Sequence, residues 1–145
     1  AYNNELANDL GNLVQRLATL CHKNNILSNP DYHPALNDYR DNHSEYFALM
    51  DRFEFTKAFA YVWQKVQAIN KAIDEQKPWE LAKQGKTAEV QQVLSSLVRQ
   101  LDDVNNLLAP LIPNASARIH AILHPEPITT AQPIVPPATP LFPKA

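Results

Sequence analysis

The sequence predicts an all-α protein: an antiparallel bundle of about five helices with an extended, proline-rich C-terminal tail. Three observations predict it. Apolar residues recur in steps of three and four over several long stretches, the period of a helix with one buried face. No stretch alternates apolar and polar residues for long, so no sheet is expected. Seven of the twelve prolines fall after residue 124, which ends helical structure there.

The elements follow in order. From Asn3 to about His22, Leu6, Leu10, Leu13, Leu17 and Leu20 form one stripe. The next stretch, "KNNILSNPDYHPALNDY", is rich in Asn, Asp and Pro and reads as a loop. A short helix is expected from about Asp41 to Asp51. Phe55, Phe59, Val62, Val66, Ile69 and Ile73 then make the cleanest stripe, ending near Gln76. Pro78 suits the first position of a new short helix, where its missing N–H costs nothing. Glu80 lies in that helix's first turn, where the dipole favours an acid. Thr87 is expected to cap a further helix buried through Val90, Leu94, Leu97, Leu101, Val104 and Leu108. It should stop near Pro110, and Pro113 should open the last helix. Residues 1–124 are read as the helical domain and 125–145 as the tail. The tail is either a flexible linker or a strap over the bundle, with Ile134, Val135, Leu141 and Phe142 as anchors.

Composition narrows the function. The 145 residues are 45% hydrophobic, enough for a real core. Gly11 and Gly85 are the only glycines, which argues against phosphate-cradling loops. The net charge of −2 does not advertise a nucleic-acid partner, because free-standing binders are usually basic. Cys21 is the single cysteine, so neither a disulfide framework nor a cysteine metal cluster is available. No apolar run approaches the roughly 20 residues that span a bilayer. The start, "AYNNELANDL", has no signal-peptide pattern and no initiating Met, and reads as the excised end of a longer protein.

Catalytic sets are missing. His120 and His124 have i, i+4 spacing but lack the glutamate of a zinc-protease pair, and are expected to be an exposed pair at a helix end. Asp102 and Asp103 point two ways from one helix and are expected to be solvated. Cys21 lies beside the first stripe and is expected to be buried.

Three features remain. Asn12, Arg16 and Lys23 follow one helix line, offering an amide, a guanidinium and an ammonium to a polar ligand. The plainer reading is a solvated helix border. Trp79, directly after Pro78, is a large flat side chain among charged and amide residues. It is either a packing plug or a stacking platform for an unpaired base. "IDEQKPW" as a unit places a helix end against a helix start, where a binding notch can form.

"NNELANDLGNLVQR", "INKAIDEQKPWELAK" and "LFPK", in this order and with "FEFTKAFAYVW" before the second, resemble the C-terminal domain of the methionyl-tRNA synthetases. The resemblance runs over essentially the whole chain. Ala72 stands where that family often has Tyr, and Lys144 where it often has Arg. The resemblance implies the helical anticodon-binding domain of a class I aminoacyl-tRNA synthetase, a cytoplasmic methionine-tRNA ligase. Its expected partners are the anticodon loop of methionine tRNA and the catalytic domain of the same polypeptide, with no membrane and no DNA. It implies tRNA contacts at Asn12, Arg16, Lys23, Pro78 and Trp79, and no catalytic or metal-binding residue. Trp79 would stack on the first anticodon base while Asn12 and Arg16 meet base edges. The ATP and Mg of the parent enzyme belong elsewhere, because the His-Ile-Gly-His-like and Lys-Met-Ser-Lys-Ser-like motifs are absent; no cofactor is expected in this chain. Two rivals are the equivalent bundle of another class I synthetase and a helical scaffold that docks a protein partner.

Overall fold

The computed structural model describes residues 2–30 and 43–137. Six helices occur among them: α1 (Tyr2–Lys23), α2 (Ser44–Asp51), α3 (Phe55–Gln76), α4 (Pro78–Lys83), α5 (Thr87–Leu108) and α6 (Pro113–Leu123). The expected all-α bundle is present, and among the described residues no helix is long and apolar enough to cross a membrane.

The leucine stripe of α1 buries Leu10, Leu13 and Leu17 against Val62, Val66, Ile69 and Ile73 of α3 and Leu94, Leu97 and Leu101 of α5 in one core. Helices α3 and α5 are antiparallel, because only the short α4 separates them at one end. At the other end His43 spans them, with Nδ1 2.8 Å from the Tyr61 hydroxyl and Nε2 2.8 Å from Asp103 Oδ2. Helix α6 folds back on α5: Asn105 Nδ2 donates to the Ser116 carbonyl at 3.0 Å, and Ser116 Oγ donates to the Asn105 carbonyl at 3.1 Å. Helix α1 runs parallel to α3. Trp63 Nε1 donates to Asp9 Oδ2 at 2.6 Å, and further along both helices Arg16 pairs with Asp74 at 2.5 Å. Both partners advance in the same direction, which only parallel helices allow.

Three helix ends share one turn. After α1, α2 and α4, an amide reaches five residues back: Ile26 to Cys21 at 2.9 Å, Glu54 to Leu49 at 2.9 Å, and Lys86 to Leu81 at 3.0 Å. This Schellman motif puts the preceding residue in the left-handed region. Asn25 (φ 57°) and Gly85 (φ 74°) are the residue types that tolerate it. Phe53 (φ 59°) is not, and its Cβ makes that conformation cost about 1 kcal/mol or more.

Several expectations need correction. Phe55 is 46% exposed although Ala58 in the same turn is buried, because the Phe55 ring packs on Phe53, centroids 6.1 Å apart, rather than in the core. Thr87 is the first helical residue rather than the cap, which is Lys86. Asp102 is only 4% exposed, and His124, at 9%, lies with Nε2 2.9 Å from Asp102 Oδ1. The charges were expected to be solvated; α6 folding onto α5 buries them together. His120 remains exposed, its ring 4.8 Å from that of His124.

The described part of the tail lies along the loop after α1. The Ser28 amide donates to the Gln132 carbonyl at 2.8 Å, the Gln132 amide donates to Ser28 Oγ at 2.9 Å, and Ile134 is buried. Val135 is exposed, since neighbours in an extended chain point to opposite sides. Leu141 and Phe142 lie outside the described residues.

Burial pushes the Cys21 thiol from 9.0 up to about 12. It also pushes the Tyr46 hydroxyl, which donates to the Leu107 carbonyl at 2.5 Å, from 10.0 up to about 12. Both groups hold their protons in the folded chain where an unfolded chain releases them. Their contribution to stability is therefore complete below about pH 9 and is lost as pH rises toward about 12. Urea midpoints should stay level from pH 7 to 8.5 and fall steadily from pH 9 to 11, and Cys21→Ala with Tyr46→Phe should flatten that decline. A midpoint that ignores alkaline pH would contradict the burial of these groups.

Candidate nucleic-acid interface

The end of α3 is built to stop and turn. Lys77 takes the left-handed conformation (φ 47°), and its amide closes α3 on Ile73 at 3.0 Å. Pro78 follows as the first residue of α4 and is buried. A proline there needs no hydrogen bond and fixes the direction of the next turn. Trp79 is thereby held at a rigid corner, half-buried and packed against the core.

The parallel register of α1 and α3 brings Arg16 to this corner. Its guanidinium carbon lies 5.5 Å from the centre of the Trp79 ring while one nitrogen holds Asp74. A guanidinium at that distance from an aromatic ring is within cation–π range. The Arg16 side chain is 36% exposed and Asp74 64%, so the ion pair adds on the order of 0–1 kcal/mol and serves orientation more than stability. Asn12, one turn earlier on α1, is exposed on the same line. Lys23, two turns beyond Arg16, is also exposed.

The structure thus joins Arg16 and Trp79 directly, places Asn12 on the adjoining turn, and uses Pro78 as a buried hinge rather than an exposed contact. Lys23 stands apart at the end of α1. Asp74 was not named as a contact, although it belongs to the "IDEQKPW" unit; it lies on the last turn of α3, five residues before Trp79 on α4. A cavity of about 510 Å³ lies elsewhere, lined by Ile26, Ser28, Val98, Arg99, Asp102 and His124. It includes none of the five expected site residues. Among the described residues no group of three or more His, Cys, Asp or Glu could hold a metal ion.

The chain is an all-α bundle with a half-buried tryptophan at one corner, an arginine beside the ring and an exposed amide one turn away. Comparison with known proteins specifies the family. The chain is 32% identical over 125 residues to a methionine-tRNA ligase of Caldanaerobacter subterraneus, covering 81% of this chain and 20% of that protein. It is 38% identical over 127 residues to one of Nostoc, covering 81% of this chain and 24% of that protein. It is 33% identical over 136 residues to one of Enterococcus faecalis, covering 88% of this chain and 20% of that protein. Among solved structures, apo methionyl-tRNA synthetase of Mycobacterium tuberculosis matches with a TM-score of 0.75 at 24% identity, over 99% of this chain and 33% of that one. The same enzyme in complex with methionyl-adenylate matches with a TM-score of 0.70. At that identity the structural match speaks for the fold alone. No family model matches the chain. The chain belongs with the methionyl-tRNA synthetases, homologous to a segment that makes up 20–24% of these curated relatives' length.

Trp79 reports on its own environment. In a Trp63→Phe background, Arg16→Ala should make the remaining fluorescence markedly more quenchable by acrylamide, with helical circular dichroism unchanged. Unaltered quenching would show that Arg16 does not cover the ring in solution.

Proposed function

We propose that this chain is the anticodon-binding domain of a methionine-tRNA ligase, residues 1–124 forming the bundle and 125–145 its tail. On this reading the parent enzyme works in the cytoplasm and joins methionine to tRNA at the expense of ATP. The chemistry, with its ATP and Mg, belongs to another part of the parent polypeptide, and this chain supplies recognition.

The observation that carries the reading is the Arg16 guanidinium 5.5 Å from the centre of the half-buried Trp79 ring at the α3–α4 corner. Anticodon bases are unpaired, and a loop can splay them out to lie on an aromatic face. Trp79 gives the first anticodon base, a cytosine in methionine tRNA, a platform worth roughly 1–3 kcal/mol. A cytosine edge carries one amino donor beside a ring nitrogen and a carbonyl that accept. Arg16 offers only donors, so it suits the two acceptors; the Asn12 amide can give and take, so it can meet the amino group. Asp74 keeps the guanidinium from swinging into solvent before the base arrives, which lowers the ordering cost of binding. A purine or uracil in the same place mismatches these donors and acceptors and leaves a polar group unpaired, costing roughly 1–3 kcal/mol. Lys23 adds phosphate attraction that fades with salt.

A net charge of −2 fits this division of labour. Discrimination needs a few placed groups, and general affinity for the phosphate backbone can come from the rest of the enzyme.

In the full-length enzyme, Trp79→Ala should lower kcat/KM for aminoacylation of methionine tRNA by on the order of tenfold to a hundredfold, as the loss of one stacked base implies. Methionine-dependent ATP–pyrophosphate exchange and helical content should stay at wild-type levels. Full charging activity with a melted bundle would mean that Trp79 is a packing residue. The 145-residue chain alone should show no methionine-dependent ATP–pyrophosphate exchange, and robust exchange would overturn its reading as a recognition domain.

A further inference from the structure

We propose that Phe53 and Phe55 form the contact through which the bundle docks onto the upstream part of its parent polypeptide. This rests on the reading of the chain as one domain of a longer synthetase. The occupant of the surface is the segment preceding residue 1.

The first argument is the backbone of Phe53. The same turn closes α1, α2 and α4, and the left-handed position is held by Asn25, Phe53 and Gly85 respectively. Asn and Gly suit it; a phenylalanine is strained there. Such strain persists when burial compensates for it, yet Phe53 is 77% exposed, the most exposed large apolar side chain among the described residues. Inside the bundle its ring meets Phe55, edge to face at 6.1 Å, and Phe55 is itself 46% exposed. A glycine would serve the bundle better. The ring therefore answers to something outside it.

The second argument is the surroundings. The two rings are bordered by a charged set: Arg52 Nε donates to Glu54 Oε2 at 3.0 Å, and Lys57 Nζ lies 3.4 Å from Glu54 Oε1. An apolar aromatic centre with a polar, solvated rim is the anatomy of a protein–protein contact.

The third argument is position. Asp9 lies opposite Trp63, so the first turn of α1 is level with the first turn of α3, where Phe55 sits. A chain that continues upstream of Tyr2 joins the bundle at the phenylalanine end. Arg16 and Trp79 lie at the other end of α3, about 30 Å away at the helical rise. The shared segment is 20–24% of the relatives' length, so a family member has ample chain to place against this end. The bundle then presents opposite ends to its two partners: phenylalanines to the polypeptide, tryptophan to the tRNA.

Two measurements test this. p-Benzoyl-phenylalanine placed at position 53 of the full-length protein and irradiated should crosslink to peptides upstream of residue 1 of the same molecule. Crosslinks confined to residues 2–145, crosslinks between isotopically distinguished copies, or no crosslink at all would overturn the proposal. Phe53→Gly should raise the melting temperature of the 145-residue chain, since glycine relieves the turn. In the full-length protein it should speed amide exchange over residues 53–57 at least tenfold. A lowered melting temperature of the chain, or unchanged exchange in the full-length protein, would make Phe53 a residue of the bundle itself. Neither readout uses tRNA. A Trp79→Ala enzyme with undiminished charging of methionine tRNA would sink the anticodon reading and leave the crosslink result standing, and the converse outcome is equally separable.

Discussion

The parallel alignment of α1 and α3 is the constraint on which the rest depends. Trp63 on Asp9 and Arg16 on Asp74 pin the two helices at two levels. A slip of one turn, about 5.4 Å, would carry Arg16 off the Trp79 ring. It would also break the layer in which Leu10, Leu13 and Leu17 meet the valines and isoleucines of α3. Core and site are thus set by one register. The two polar contacts supply little energy by themselves.

Two terminations turn this register into a surface. Lys77 and Pro78 end α3 and start α4 with no intervening loop, so Trp79 emerges at a fixed angle. At the opposite end of α3 the turn through Phe53 does the reverse: it leaves apolar rings in water. Both corners hold a non-glycine residue at positive φ. Strain of this kind is retained where the local geometry is needed for something besides folding. Mechanical continuity between the corners runs through α3, whose apolar face is buried along most of its length.

Much of the fold was legible in the sequence. The stripes of α1, α3 and α5 follow from steps of three and four, and their leucines, valines and isoleucines are buried almost as the period requires. What failed were statements about single side chains that depend on neighbours far along the chain. Asp102 and His124 read as surface charges because their spacing on separate helices says nothing of α6 folding onto α5. Phe55 fits the α3 stripe by period, but its ring packs on exposed Phe53 rather than in the core. The direction of α1 relative to α3 was equally hidden, since the period of a stripe says nothing of which way its helix runs beside another. The candidate site was legible only in part. Spacing put Asn12, Arg16 and Lys23 on one line, but it could not bring Arg16 to a tryptophan 63 positions later. Ordered motifs did that, and they missed Asp74 as the group that holds the arginine.

The central claim is that the Arg16–Trp79 corner reads the first anticodon base. The most direct test is a cycle that combines Arg16→Ala in the full-length enzyme with replacement of that base, measured as the binding affinity of anticodon stem-loops. Wild-type protein should favour cytosine at the first position by at least tenfold over adenine, guanine or uracil, and Trp79→Ala should weaken all four together. The Arg16→Ala protein should bind all four with nearly the same weak affinity. An Arg16→Ala protein that keeps the cytosine preference would contradict the account.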